Sequence, residues 1–173
     1  VVYPRSDYDP APGEYPVRSV AFPFYEGFRV GLPQVPRGVR DVDLVHAHTP
    51  FGIGLAALRL VRDSETPLVA SYHTPTAEYA EYLAVNGVVE RGVRRVARGY
   101  ERWFLDRTDL VVVPSEQTAR YVREGVGVDT EVAVVPNGVD TEFFAPGDGP
   151  AFRDRYDLAG DLVGYTGRHG HEK

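Results

Sequence analysis

Two apolar runs, each closed by a His-Thr-Pro cluster and separated by a helix-length segment, set the strongest limit on how this chain can fold. The first reads Asp43-Leu44-Val45-His46-Ala47-His48-Thr49-Pro50, and the second Pro67-Leu68-Val69-Ala70-Ser71-Tyr72-His73-Thr74-Pro75. Between them, Gly52 to Arg62 has the length and apolar content of a helix. A strand, a crossover of about a dozen residues and a second strand make a parallel pair. Both polar clusters then lie at one edge of the sheet. Ligands of open parallel sheets bind outside the carboxyl ends of the strands. Three of the five histidines, His46, His48 and His73, fall at that edge.

The rest of the chain extends the same pattern. Strands are predicted at Val1 to Tyr3, Val17 to Ala21, Val42 to His46, Leu68 to Tyr72, Leu110 to Val113 and Glu131 to Val135. Helices are predicted at Gly52 to Arg62, Thr76 to Ala84, Val88 to Arg107, and from a Ser115 N-cap to about Glu124. Arg5 to Pro16 is rich in Pro, Asp and Gly and reads as loop, and Phe22 to Pro36 as an irregular surface segment. Strands alternating with helices specify α/β architecture, a Rossmann-like domain with a mostly parallel sheet. The continuous Val/Leu runs fit strands covered on both faces. This domain is expected over 1–140. A linker and short helix should follow over 141–160, and 161–173 should open a second domain with a strand at Leu162 to Thr166.

Composition excludes several classes. Lys and Arg number 19 against 25 Asp and Glu, a formal charge of −6. No global basic field exists to hold nucleic acid. The single lysine is Lys173, and all other basic residues are arginine. Acid excess with so little lysine points to a salt-loving or GC-rich source. Cysteine is absent, which removes disulfides and thiolate zinc sites. Methionine is absent even at position 1, so the chain is expected to be part of a longer protein, truncated at both ends. No apolar run approaches the roughly 20 residues that span a bilayer. No Gly-x-Gly-x-x-Gly follows a strand, which argues against a dehydrogenase.

In order along the chain come Asp-Leu-Val-His-Ala-His, Ser-Tyr-His-Thr-Pro, Asp-Leu-Val-Val-Val-Pro-Ser-Glu, Val-Val-Pro-Asn-Gly-Val-Asp-Thr-Glu-Phe-Phe and Gly-Tyr-Thr-Gly-Arg-His-Gly-His-Glu-Lys. From Val42 to Lys173 this series resembles the family 4 glycosyltransferases, with the box Pro136-Asn137-Gly138-Val139-Asp140 as its most specific part. The two His-Thr-Pro clusters with Glu78-Tyr79 and Glu81-Tyr82 look most like members that glycosylate diacylglycerol-type or phosphoinositol lipids. The resemblance implies the GT-B fold, an acceptor-binding N-terminal domain and a C-terminal domain for a UDP- or GDP-linked sugar. It implies transfer with retention, no cofactor and no metal. The family's first strand and glycine-rich loop should precede Val1. The paired-glutamate donor motif should follow Lys173, so this chain alone should not turn over substrate.

The resemblance matches His73 to the active-site histidine, near the transferred sugar and the acceptor hydroxyl. It assigns Arg168 and Lys173 to the donor diphosphate. Fixed cations there would stabilise charge that builds as the sugar–oxygen bond breaks. His46, His48, Thr74, Glu78 and Tyr79 are expected around the acceptor pocket. Read from the residues alone, His73 either bonds a sugar hydroxyl or satisfies a turn. His46 and His48, two apart on a strand, point the same way. They form a polar pair, pack the strand end, or contribute to a metal site. Asn137-Gly138 reads first as a turn.

The segment from Val88 to Arg107 is basic on one face. Arg91, Arg94, Arg95, Arg98 and Arg102 recur at helical spacing, with Val89, Val93, Val96, Tyr100 and Trp103 on another face. Such a helix either rests on an anionic membrane or packs its apolar stripe into the core with a solvated Arg face. Three functional readings follow. The first is a glycosyltransferase taking a lipid or carbohydrate acceptor, cytoplasmic or peripheral at the inner membrane surface. The second is a metal-dependent hydrolase using the His-x-His pairs, and the third a non-catalytic sugar- or lipid-binding module.

Overall fold

The structure, a computed structural model, describes residues 1–22, 29–74, 87–147 and 149–167, with side chains on the long helix described from 91 onward. It divides into two compact units, Val1–Asn137 and Gly138–Lys173. The first unit is built on a four-stranded sheet in the order β5-β6-β7-β8, every pair parallel. The strands are β5 (Val45–Ala47), β6 (Leu68–Ser71), β7 (Leu110–Val113) and β8 (Val132–Val134). Helix α1 (Gly52–Val61) joins β5 to β6. The long helix α2 (Gly87–Leu105) precedes β7. Helix α3 (Glu116–Arg120) runs on as a π-helical turn over Tyr121–Val126 before β8.

Apolar burial decides this arrangement. Leu68, Val111, Val113, Ala119 and Val122 are almost completely removed from water, and Phe104 of α2 closes the cluster. Polar groups fix the register. The Asp109 carboxylate accepts from the Leu68 amide at 2.7 Å, and the Asp109 amide donates to the Leu68 carbonyl at 2.8 Å. At the end of α2 the Leu105 carbonyl accepts from the Thr108 hydroxyl at 2.8 Å, the Thr108 amide at 3.0 Å and the Thr130 hydroxyl at 3.1 Å. Ser115 caps α3 as expected, accepting from the Thr118 amide at 3.2 Å. Gly127, at φ 79°, ends the π-helical turn in the left-handed region that favours glycine.

Helix α1 begins where only glycine fits. A Cβ on Gly52 would come within 1.9 Å of the Gly31 carbonyl oxygen, and one on Gly54 within 2.1 Å of the Thr49 carbonyl oxygen. The first turn of α1 is thereby pressed against neighbouring backbone. A hydrogen bond from the Tyr100 hydroxyl to the Pro50 carbonyl ties α2 to the same turn.

The N-terminal region departs from expectation. The run Val17 to Ala21 is not one strand. It splits at Arg18 into β2 (Tyr15–Val17), parallel to β1 (Val2–Pro4), and β3 (Ser19–Ala21), antiparallel to β4 (Arg29–Gly31). Strand β4 lies inside the stretch expected to be irregular. Its Arg-Val-Gly sequence is too short to carry a periodic signal, and pairing with β3 defines it. The expected strand at Leu162 to Thr166 is also absent: 162–166 carries no ladder, because it has no strand partner among the described residues. The second unit contains helix α4 (Gly149–Tyr156), close to the predicted short helix. The predicted helix at Thr76 to Ala84 falls outside the described residues.

Among the described residues β5 has a strand neighbour on one side only. Its other edge borders an apolar cavity of about 560 Å³, lined in part by Val1, Val35, Leu44, Ile53 and Leu60. The core and the surface of α2 should respond differently to truncation. Phe104→Ala is expected to cost about 3–5 kcal/mol in denaturant unfolding, whereas Val96→Ala, at a position 73% exposed, should stay within about 0.5 kcal/mol. Comparable losses from both would contradict this packing.

Candidate active site

At the carboxyl edge of β5 and β6 lies a cavity of about 340 Å³. His48, Thr49, Ser71, His73 and Thr74 supply polar groups from the strand ends. Phe51, Ile53 and Phe104 form apolar walls, and Arg29 and Glu101 reach it from β4 and α2. Strands β4, β5 and β6 and helices α1 and α2 therefore converge on the edge that the sequence pattern singled out.

Strand register explains which side chains meet. His46 lies opposite Val69 and Ala47 opposite Ala70. Alternation then puts His46 and His48 of the first run on the same sheet face as Ser71 and His73 of the second. The His46 Nε2 lies 2.8 Å from the Ser71 hydroxyl. The His46 and His48 ring centroids are 4.2 Å apart at a 30° tilt, and those of His48 and His73 are 5.9 Å apart and nearly parallel, at 5°. Partial burial pulls the His46 pKa below its ordinary value, and the like charges of His48 and His73 lower it further. The three rings lie face against face, and no group of three or more His, Asp or Glu among the described residues is placed to hold a metal ion.

His48, His73 and Thr74 thus share one cavity. His46 does not line it. It borders the neighbouring apolar cavity and reaches the site through Ser71 and His48. Glu78 and Tyr79, with the diphosphate candidates Arg168 and Lys173, lie outside the described residues.

Sequence reasoning missed three residues of this site: Arg29, Ser71 and Glu101. Arg29 sits on the unanticipated β4, with Nε donating to the Ser19 hydroxyl at 2.8 Å. Ser71 is a buried hydroxyl inside an apolar run. Glu101, a carboxylate on an arginine-rich helix, is 1% exposed. The Tyr72 hydroxyl donates to its Oε1 at 3.0 Å. Its spacing from Phe104 and Leu105, three and four residues on, was the available signal.

Helix α2 does not divide as its arginine spacing implied. Arg91, Arg95, Arg98 and Arg102 are exposed and Arg94 is half-buried. Arg102 is held by internal ion pairs, at 3.2 Å to Asp106 and 2.8 Å to Asp129. The expected apolar stripe breaks up. Val96 and Trp103 are exposed at 73% and 40%, while Glu101, Phe104 and Leu105 turn inward. The outer face of α2 therefore mixes arginines with Val96 and Trp103, and the Arg107 guanidinium lies 4.6 Å from the Trp103 ring centroid.

Comparison with known proteins agrees with this geometry. The solved sucrose-phosphate synthase from Thermosynechococcus elongatus superposes on 88% of this chain and 39% of its own, with a TM-score of 0.55 and 17% identity, and so shares the fold. Alpha-monoglucosyldiacylglycerol synthase of Streptococcus pneumoniae is 29% identical over 69% of this chain. D-inositol 3-phosphate glycosyltransferase of Mycobacterium bovis is 33% identical over 73%. The chain spans 26% of the length of each of these two relatives. The model of Glycosyltransferase Family 4 matches residues 1–143. A parallel Rossmann-like sheet, a histidine-bearing carboxyl edge and this match converge on one conclusion: the chain belongs to glycosyltransferase family 4.

Proposed function

We propose that the chain is the acceptor side of an enzyme that moves a sugar from a UDP- or GDP-linked donor to a hydroxyl of a membrane lipid, with retention of configuration. The observation that carries this reading is the shared cavity of His48, His73 and Thr74 at the sheet edge of a family 4 chain. One relative, a glucosyldiacylglycerol synthase, supports a lipid acceptor by name. The other, a D-inositol 3-phosphate glycosyltransferase, supports glycosyl transfer but names no lipid.

The chemistry asks little of the acceptor side beyond placement. The acceptor oxygen forms a bond to the anomeric carbon while the bond from that carbon to the donor phosphate breaks. The nucleoside diphosphate leaves with the electron pair, and its phosphate oxygen takes the acceptor proton. His73 needs only to hold a sugar or acceptor hydroxyl so that attack comes on the same face as the departing phosphate, and fixing that geometry removes an entropic part of the barrier. The apolar walls at Phe51, Ile53 and Phe104 exclude water that would compete as acceptor. In this reading Arg168 and Lys173 meet the departing diphosphate. No cofactor is needed.

The outer face of α2 supports a lipid acceptor. Arg95 and Arg98 are exposed and have no ion-pair partner among the described residues. With Val96 and Trp103 between and beside them, they give the composition of a helix lying in an anionic interface. Among the described residues no helix is long and apolar enough to cross a membrane. In this reading the enzyme sits peripherally at the inner membrane surface, close to its acceptor.

In the complete protein, His73→Ala should lower kcat by about a hundredfold or more and leave nucleotide affinity intact. Turnover equal to wild type would remove His73 from the site. For the membrane contact, vesicle co-sedimentation of an Arg95→Gln/Arg98→Gln/Trp103→Ala variant is decisive. Binding to phosphatidylglycerol vesicles should weaken by about 1 kcal/mol per arginine, and wild-type binding should fade as salt rises. Equal binding of both proteins, or equal binding to uncharged vesicles, would contradict it.

A further inference from the structure

We propose that His46 and Ser71 are positioning residues for His73, acting through the His46–His48–His73 ring stack. The inference rests on the reading of His73 as the group that meets the acceptor, and adds how its ring is held.

An exposed histidine at a strand end is free to rotate about two side-chain bonds. Neither His48 nor His73 has a hydrogen-bond partner on its ring among the described residues, so within them no polar contact orients either ring. Each is oriented by the ring beside it. His73 lies parallel to His48 at 5.9 Å, and His48 lies on His46 at 4.2 Å. Only His46 is tied down, by the 2.8 Å contact of its Nε2 with Ser71. That hydroxyl is 9% exposed and belongs to the rigid interior of the sheet between β5 and β7. Neighbouring aromatic rings prefer particular mutual arrangements, and each contact in the stack biases the orientation of the next ring. The orienting contact for His73 is thus 27 residues away in sequence, at His46.

The test is ¹H–¹³C NMR of the histidine ring signals, on this chain as wild type, His46→Asn, Ser71→Ala and Ser71→Thr. In His46→Asn and in Ser71→Ala, the His73 ring signals should shift. Ser71→Thr, which keeps the hydroxyl, should restore them. In the complete protein the first two variants should lower kcat about tenfold with acceptor KM unchanged. His73 ring signals indifferent to both His46→Asn and Ser71→Ala overturn the proposal. If His46→Asn does not fold, Ser71→Ala reads the same contact. Signals that shift as expected while His73→Ala turns over normally would sink the functional reading instead and leave the stack intact.

Discussion

Register along β6 governs the site. Leu68 and Ala70 turn into the core from one side of the strand, and alternation sends Ser71 and His73 to the face shared with His46 and His48. A one-residue slip would exchange the two sets, burying imidazole and exposing the apolar residues. Two contacts hold the strand against that slip: the bidirectional pairing of Leu68 with Asp109, and the parallel ladders to β5 and β7. The histidine edge is therefore a product of core packing. No local device at the edge itself would be needed to build it.

Helix α2 links the core to both functional surfaces. Its inner face places Phe104 in the core, Glu101 against the Tyr72 hydroxyl and Tyr100 on the Pro50 carbonyl. These contacts brace the segments that follow β5 and β6, from which Thr49, His73 and Thr74 project. Its outer face carries arginines, Val96 and Trp103 toward solvent. The same helix thus sets both the bracing of the cavity and the character of one exposed face.

Much of this was legible in the sequence because strong signals were local. The Leu/Val runs of β6 and β7 are bounded by Pro and polar residues, α1 begins at a glycine pair, and Ser115 precedes an acidic first turn. What escaped depends on pairing or tertiary contact. Strand β4 exists only through β3, and the break at Arg18 only because two small sheets claim the flanking residues. Glu101 looked solvated because charge type was read before helical position. Arg102 looked like part of a free basic face because its partner Asp129 lies 27 residues on, beyond any helical spacing. Ser71 drew no notice, since a small hydroxyl inside an apolar strand is unremarkable until the opposite strand supplies His46.

The most direct check on the account is a structure of the complete protein with an acceptor lipid and a non-hydrolysable donor analogue bound. The acceptor hydroxyl should sit in the cavity walled by Phe51, Ile53 and Phe104, with a ring nitrogen of His73 within about 3 Å of a sugar or acceptor oxygen. An acceptor bound elsewhere, with His73 remote from every substrate oxygen, would contradict it.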